Sequence, residues 1–332
     1  MSDSPVPLLT LKRRLRRVHR LIRSSIGSIR ALRGGDRSVR DALAEMPLMF
    51  AEKTYNAWHP DYEPELARCY SGRIHNPDCP SSNPLFLEIQ KLARRGRVPN
   101  RAWQPILRDA MAEASTVPGF DQVMDRKTYV EDYLAELGQR YQSNFVAGWV
   151  NMVDAQFLYW AVRRVKPRTI VQTGVSNGLS SAFMMLALAK NGPQSRLHVI
   201  DLPHIFDPVD TAWTEKGKLH GVVIPQGKSS GWMVPDIYRD RFEVDVGDAK
   251  VLLPPLIERL GEIDMFFHDS DHFYSHMMFE FDEAMQKLAP NSVIVADDIS
   301  WNASLWDFAD KHRLPGYNFR GTLGVAFLPG TN

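Results

Sequence analysis

The sequence predicts an α/β fold with a doubly wound, mostly parallel sheet in its second half. From residue 150 onward, short apolar runs alternate with stretches whose apolar residues recur at helical spacing. Because strand, helix and strand follow one another in this order, the strands should lie parallel with helices on both faces of the sheet. The predicted strands are Thr169–Thr173, Leu197–Asp201, Phe242–Val246, Ile263–His268 and Ser292–Asp297.

Helical spacing predicts the segments that connect these strands. We expect helices over Met152–Val165, Leu179–Lys190, Ala249–Leu260 and Ser275–Leu288, the third of them kinked or interrupted at Pro254-Pro255. A hairpin around Gly321-Thr322 should close the fold, with strands over Tyr317–Arg320 and Gly324–Leu328.

The first 150 residues predict an N-terminal helical extension with little readable chemistry. Candidate helices cover Pro84–Arg95, Arg101–Ala114 and Lys127–Tyr141. We therefore divide the chain into a basic arm (1–40), a helical cap or oligomerisation region (41–150) and a ligand-binding α/β domain (151–332). Whether the chain forms a homo-oligomer is left open.

Composition excludes several classes of protein. The chain has 332 residues, of which 44% are hydrophobic and 24% charged, so it is neither disordered nor built around a membrane-spanning helix. Its two cysteines, Cys69 and Cys79, lack the spacing of a zinc module and are too few for a disulfide scaffold. We expect free thiols and a cytoplasmic protein.

Charge is distributed unevenly along the chain. Residues 1–40 carry eleven Lys or Arg and two Asp, whereas the remainder carries 29 basic and 37 acidic residues. Apolar residues between Leu11 and Leu32 recur at steps of three and four, which predicts a basic amphipathic helix. Such an arm would bind an anionic membrane surface, placing the protein at the inner membrane face, or a partner protein, or the chain's own acidic body.

A glycine-containing loop follows the first predicted strand. The segment Thr173-Gly174-Val175-Ser176-Asn177-Gly178-Leu179-Ser180 ends in a predicted helix, so its glycines should let a ligand approach the backbone near free N–H groups. Acidic residues end the next two strands: Asp201, suited to ribose hydroxyls, and Asp248 in Gly247-Asp248-Ala249, suited to capping a helix and to contacting an adenine.

Carboxylates also gather after the fourth and fifth predicted strands. The fourth ends in His268-Asp269-Ser270-Asp271-His272, and the fifth ends in Ala296-Asp297-Asp298. Neighbouring parallel strands end at one edge of the sheet, so these carboxylates should repel one another unless a proton or a cation lies among them. Oxygen ligands of this kind favour Mg²⁺ or Ca²⁺ over zinc.

Together these motifs resemble the Rossmann-like S-adenosylmethionine-dependent methyltransferases, most closely the bacterial small-molecule O-methyltransferases that include cephalosporin-hydroxylase-like and macrolide-sugar methyltransferase-like proteins. The resemblance covers residues 150–330 and rests most specifically on FFHDSDHFYSHMMFEFDEA followed by VIVADDI. It implies a seven-stranded sheet. It also implies cofactor contacts from Thr173, Gly174, Ser176, Gly178, Ser180, Asp201, Gly247, Asp248, Ala249 and Asp269.

The resemblance further implies a metal-assisted reaction. Asp269, Asp297 and Asp298 correspond to the ligands of a Mg²⁺-like ion, Asp271 to a general base, and the adjacent His272 is the reserve base. Gln172 replaces the acid that usually precedes the first loop glycine. The expected activity is methyl transfer to a hydroxyl of a small molecule such as a sugar or secondary metabolite.

Three other functions remain open from the sequence. A nicotinamide-dependent oxidoreductase lacks support because no GxGxxG motif is present. An RNA-directed methyltransferase would use the basic arm, but the acidic body makes nucleic acid an unfavoured partner. The third alternative is a catalytically inactive adaptor.

Overall fold

A computed structural model describes residues 71–142, 145–203, 214–215, 218–219 and 221–330. All of them belong to one compact unit that spans Asp61–Asn332. The basic arm, its predicted amphipathic helix and Cys69 lie outside the described residues.

The architecture is a mixed eight-stranded sheet that carries helices on both faces. In spatial order, its strands are β1 (Ile74–His75), β11 (Gly316–Phe319), β12 (Leu323–Phe327), β10 (Leu288–Ala296), β9 (Ile263–His268), β3 (Thr169–Thr173), β4 (Arg196–Asp201) and β8 (Phe242–Val246). The central strands β8, β4, β3, β9 and β10 are parallel to one another, whereas β12, β11 and β1 are added antiparallel.

Eight helices of the described residues surround this sheet, together with short peripheral strands. The helices are α1 (Pro84–Leu92), α2 (Asn100–Ala114), α3 (Phe120–Tyr141), α4 (Met152–Val165), α5 (Leu179–Asn191), α6 (Ala249–Leu260), α7 (Tyr274–Met285) and α8 (Ser304–His312). Beside them lie the parallel pair β2 (Phe145–Val146) and β7 (Gly221–Val222), the antiparallel pair β5 (Thr214–Glu215) and β6 (Lys218–Leu219), and a 3₁₀ helix over Asp236–Arg241.

The two faces of the sheet have separate apolar cores. One core joins α1 to α5 with the sheet, and the other joins α6, α7 and α8 with it. Trp103 of α2 lies at the centre of the first core, edge-on to Phe157 and Phe319, and its indole N–H donates to Tyr317 Oη at 2.9 Å. Helices from the first half of the chain are therefore built into the same core as the sheet.

The sequence predicted the α/β class, the parallel centre and the closing hairpin, and the structure confirms all three. The expectation of seven strands is wrong by one, because Ile74–His75 pairs with β11 at the sheet edge. The predicted interruption at Pro254-Pro255 is also absent, since α6 runs through both prolines. Helix α3 begins at Phe120 rather than at the predicted Lys127. Its N-cap is Gly119, which has a left-handed conformation with φ of +89°.

The fold brings the predicted site residues to one edge of the sheet. Because β3, β4, β8, β9 and β10 are parallel, their carboxyl ends lie side by side. No helix among the described residues is both long and apolar enough to cross a membrane.

Candidate active site

The loop after β3 packs tightly on other backbone segments. At Gly174, where φ is +72°, an added Cβ would overlap the backbone carbonyl group of Asp269 and lie 2.6 Å from Ser270 N. At Gly178, where φ is +94°, a Cβ would lie 2.6 Å from Gly231 Cα. The Cβ positions of both glycines therefore face protein backbone, and each glycine is needed for close packing in a left-handed conformation.

Gln172 connects the end of β3 to the start of α5. Its amide nitrogen donates to Gly174 O at 2.7 Å and to Ser180 Oγ at 3.1 Å, while its amide oxygen accepts from Ser181 Oγ at 2.7 Å. An acid at this position could accept but not donate. The departure from the usual acid thus supplies a donor that holds the loop, and the predicted cofactor contact Ser180 is buried within this network.

Asp201 holds the same loop from the end of β4. Its Oδ1 accepts from Val175 N at 2.8 Å and from Ser176 N at 3.3 Å, and its Oδ2 accepts from Ser230 Oγ. The residue is buried. Asp201, which we predicted to bind a ribose, thus organises the loop in this structure, and Ser176 in turn donates its hydroxyl to Ala147 O at 2.9 Å.

The Gly247-Asp248-Ala249 turn begins α6. Asp248 is the N-cap of this helix and accepts from Lys250 N at 2.8 Å, which confirms the predicted capping role. Two apolar side chains are exposed beside this turn: Val246 at the end of β8 and Leu202 directly after Asp201, at 64% and 63% exposure. Apolar side chains exposed at adjacent strand ends are suited to contact a flat ring.

The carboxylates after β9 and β10 act on one another. Desolvation raises the pKa of Asp269 well above its usual value, and the charge of Asp298 raises it further, although a hydrogen bond with Asp297 opposes this. Desolvation likewise raises the pKa of Asp297, followed by the charges of Asp298 and Asp269. The structure thus brings the three predicted metal ligands into one electrostatic cluster.

A fourth carboxylate, which sequence reasoning missed, joins this cluster from α4. Asp154 is buried, and desolvation raises its pKa to about 7, with the charge of Asp298 adding to the effect. Hydrogen bonds from Thr322 Oγ1 at 3.0 Å and Asn151 Nδ2 at 2.6 Å work in the opposite direction. In the sequence, Asp154 has the pattern of an ordinary acid in the first turn of a helix.

The cluster has suitable donors for a divalent cation but does not present a preformed site. Carboxylate oxygens are the ligands that Mg²⁺ prefers, and after desolvation the charges of neighbouring carboxylates add to the raised pKa values of Asp269 and Asp297. Within the described part of the chain, however, no three His, Cys, Asp or Glu side chains are grouped to hold a metal ion.

The two predicted catalytic residues have different surroundings. Asp271 is exposed and does not lie within the buried part of the cluster. Its charge acts on His276, whose pKa it helps to raise. His272 is half-buried, with Nε2 at 3.6 Å from Asp298 Oδ2 and its ring 5.2 Å from that of Trp301. The reserve base is therefore the one that contacts the carboxylate cluster.

Beneath the site lies a buried network centred on Glu280 of α7. Its Oε2 accepts from Thr173 Oγ1 and His268 Nδ1, both at 2.6 Å, and its Oε1 accepts from Ser270 Oγ at 2.7 Å and pairs with His276 Nε2 at 2.8 Å. Burial alone would raise the pKa of Glu280, but both histidines outweigh it and lower that pKa. The predicted cofactor contact Thr173 uses its hydroxyl here.

The comparisons with known proteins fit this architecture. Residues 171–299 match the family model Methyltransf_24, described as a methyltransferase domain, which is less than half of the chain but contains the glycine loop and both carboxylate motifs. This match confirms the predicted methyltransferase. Among curated proteins, none matches the chain.

Three solved structures illustrate the likeness. An O-methyltransferase from Bacillus cereus in complex with SAH is 15% identical, covering 62% of this chain and 90% of its own, with a TM-score of 0.41. The SAH-bound methyltransferase PaMTH1 of Podospora anserina is 11% identical, with 68% and 94% covered and a TM-score of 0.42. TomG of Streptomyces achromogenes, an O-methyltransferase involved in tomaymycin synthesis, was solved with SAM and is 18% identical, with 55% and 82% covered and a TM-score of 0.38. At these TM-scores, none of the three bears on what this chain binds or methylates.

Proposed function

We propose that this S-adenosylmethionine-dependent methyltransferase transfers a methyl group to a hydroxyl of a small molecule, such as a sugar or secondary metabolite, with help from a divalent cation. One observation carries the proposal. The loop held by Asp201 and the cluster of Asp269, Asp297 and Asp298 stand beside each other at one edge of the sheet. A site for a nucleoside and a site that activates a hydroxyl are thus neighbours.

The cofactor would lie across the ends of β3, β4 and β8. Asp201 can accept from ribose hydroxyls, and the exposed side chains of Leu202 and Val246 offer an apolar surface to the adenine. The carboxylate cluster favours the positive sulfonium through its charge. S-adenosylmethionine supplies an electrophilic methyl group when it is bound.

His272 is the better placed of the two candidate bases. The Asp298 carboxylate lies 3.6 Å from its Nε2 and can stabilise the imidazolium that forms when the ring takes the proton of the hydroxyl. Asp271 is exposed and would be screened by water in the same task. We therefore assign the proton transfer to His272 and keep Asp271 as the alternative.

The cation part of the proposal rests on charge. Asp269, Asp297 and Asp298 would hold the ion, which would lower the pKa of the acceptor hydroxyl and relieve the repulsion among the carboxylates. Because the three side chains are not grouped as preformed ligands, an ion would have to draw them together.

Ligand binding and turnover test these parts separately. Calorimetry with S-adenosylmethionine, S-adenosylhomocysteine and NAD⁺ should give binding of the first two alone. A methyl-transfer screen over hydroxylated sugars and metabolites, with Mg²⁺ or with excess EDTA, should find turnover that the chelator abolishes while cofactor binding persists. Asp269→Asn should act like EDTA, because it removes a charge without changing the side-chain size.

Two outcomes of these experiments would contradict parts of the proposal. Binding of NAD⁺ in place of S-adenosylmethionine would favour an oxidoreductase and end the proposal. Full turnover in EDTA, with an equally active Asp269→Asn variant, would leave a methyltransferase that works without a metal. The matched control is Asp310→Asn, an exposed carboxylate on α8 that pairs with His75.

A further inference from the structure

The segment Lys228–Asp236, here called the clasp, packs directly on the glycine loop. Gly231 N donates to Ser176 O at 2.8 Å, and Met233 N donates to Asn177 O at 3.1 Å. The indole N–H of Trp232 donates to Asn177 Oδ1 at 2.9 Å. Three hydrogen bonds therefore fix two successive residues of the loop.

The clasp also reaches the candidate cofactor ligand. Ser230 Oγ donates to Asp201 Oδ2, while Asp201 Oδ1 accepts from two backbone N–H groups of the glycine loop. Gly178 and Gly231 approach so closely that a Cβ at Gly178 would lie 2.6 Å from Gly231 Cα. A shift of the clasp would therefore move both the loop and the Asp201 carboxylate.

Helix α3 holds the clasp from its other side through Gln122, which exchanges two hydrogen bonds with Asp236, and through Arg126. Arg126 Nη1 donates to Trp232 O and to Val234 O, each at 2.8 Å, and Arg126 Nη2 donates to both oxygens of Asp236 at 3.0 Å. The Arg126 side chain is 18% exposed, whereas that of Asp236 is 66% exposed. The two carbonyl bonds are thus the shielded part of this contact, and the ion pair is the solvated part.

We propose that Arg126 is a positioning residue for the cofactor site, so that α3, which precedes the matched methyltransferase domain, sets the affinity for S-adenosylmethionine through the clasp. This inference rests on the proposed function. Arg126 touches no predicted cofactor contact. It acts through Trp232 and Asn177 on the loop and through the position of Ser230 on Asp201.

The test compares variants that separate the carbonyl bonds from the ion pair. Arg126→Gln removes the bridge between Trp232 O and Val234 O, whereas the control Asp236→Asn removes the ion pair and leaves that bridge. Trp232→Phe removes the indole donor to Asn177 and leaves a smaller aromatic ring in its place. It keeps the inference testable if Arg126→Gln fails to fold. The probe is S-adenosylmethionine itself, measured by calorimetry on the full chain.

We expect Arg126→Gln to raise the Kd for S-adenosylmethionine about tenfold and Trp232→Phe to raise it about fivefold, because each removes hydrogen bonds that preorganise the loop. Asp236→Asn should change the Kd by less than about twofold, as for a solvated ion pair. In Arg126→Gln, backbone hydrogen exchange should become faster at residues 174–178 and stay unchanged in β10. A general loss of stability would instead speed up exchange in both segments.

The outcomes distinguish the inference from its premise. If the wild-type protein binds S-adenosylmethionine and both Arg126→Gln and Trp232→Phe bind it equally well, the inference is overturned and the proposed function stands. If the wild-type protein does not bind S-adenosylmethionine, the proposed function fails and the inference falls with it. Equal losses in Asp236→Asn and Arg126→Gln would assign the effect to surface charge and contradict the bridge.

Discussion

Gly174 and Asp269 lie in direct backbone contact at the ends of neighbouring strands. A Cβ at Gly174 would overlap the Asp269 carbonyl group, and Asp269 N donates to Thr173 O at 2.9 Å. The glycine loop and the first candidate metal ligand therefore share one fixed piece of backbone. A change in the loop is transmitted to the carboxylate cluster without passing through a ligand.

Gly174→Ala should destabilise the protein through this contact. The added methyl group must displace backbone, and φ of +72° is strained for alanine, so we expect unfolding free energy to fall by about 2–4 kcal/mol. Gly96→Ala is the matched control: its φ is +74° and no atom lies within 4 Å of the added Cβ. That control should cost about 1 kcal/mol. If urea denaturation gave the two variants equal losses of unfolding free energy, the positive φ rather than the overlap with Asp269 would account for the cost at Gly174.

Residues 171–299 show how far sequence reasoning reaches. The end of a strand can be read from the point where an apolar run gives way to polar residues. Asp201, Asp269 and Asp297 were therefore placed correctly at one edge of the sheet. The sequence gives no comparable signal for contacts between side chains that are far apart along the chain. Asp154 lies well before the glycine loop in the chain, and its burial beside Asp298 depends on how α4 packs.

The same limit explains the glycines and Glu280. Sequence shows that a glycine is needed in the loop, but whether the vacant Cβ position faces a ligand or another backbone depends on tertiary packing. Glu280 appears in the sequence as one acid on an amphipathic helix. Only the fold shows that it binds side chains from β3 and β9.

Asp201 should contribute both to loop stability and to cofactor affinity, and two substitutions can separate these roles. Asp201→Asn keeps an acceptor for Val175 N and Ser176 N, so its unfolding free energy should stay within about 1 kcal/mol of wild type. Asp201→Ala leaves those N–H groups without their acceptor and should cost about 1–3 kcal/mol. Both should weaken S-adenosylmethionine binding. Wild-type affinity in either variant, measured by calorimetry, would remove Asp201 from the cofactor site.

Glu280→Gln should loosen the ends of β3 and β9 together. The carboxylate accepts from Thr173 and His268 among others, and a glutamine must turn its amide nitrogen toward one pair of these donors. We expect a loss of about 2–4 kcal/mol in unfolding free energy, as when a buried ion pair is broken. Glu283→Gln on the same helix is the control and should change stability by less than about 0.5 kcal/mol. A Glu280→Gln protein as stable as this control would contradict the network's role.

Asp154 should make the protein less stable as pH rises toward neutrality. Its folded pKa of about 7 lies above the usual value of 3.8, so between these pH values the folded state keeps a proton that the unfolded state has released. The free energy of unfolding contributed by this group therefore falls from about pH 4 to about pH 7 and is constant above that range. Asp154→Asn cannot ionise, so its stability should fall less across the same window.

The measurement is the slope of stability against pH, not its absolute value. Asp154→Asn keeps one acceptor but must place its amide nitrogen near the donor Asn151 or Thr322, so its stability at acidic pH should drop. Urea denaturation in EDTA from pH 4 to pH 8 should nevertheless give a decline that is smaller than that of wild type by about 2–4 kcal/mol, since each pKa unit corresponds to about 1.4 kcal/mol. Parallel curves for the two proteins would mean that Asp154 has the same pKa in the folded and unfolded states, which would contradict the raised value.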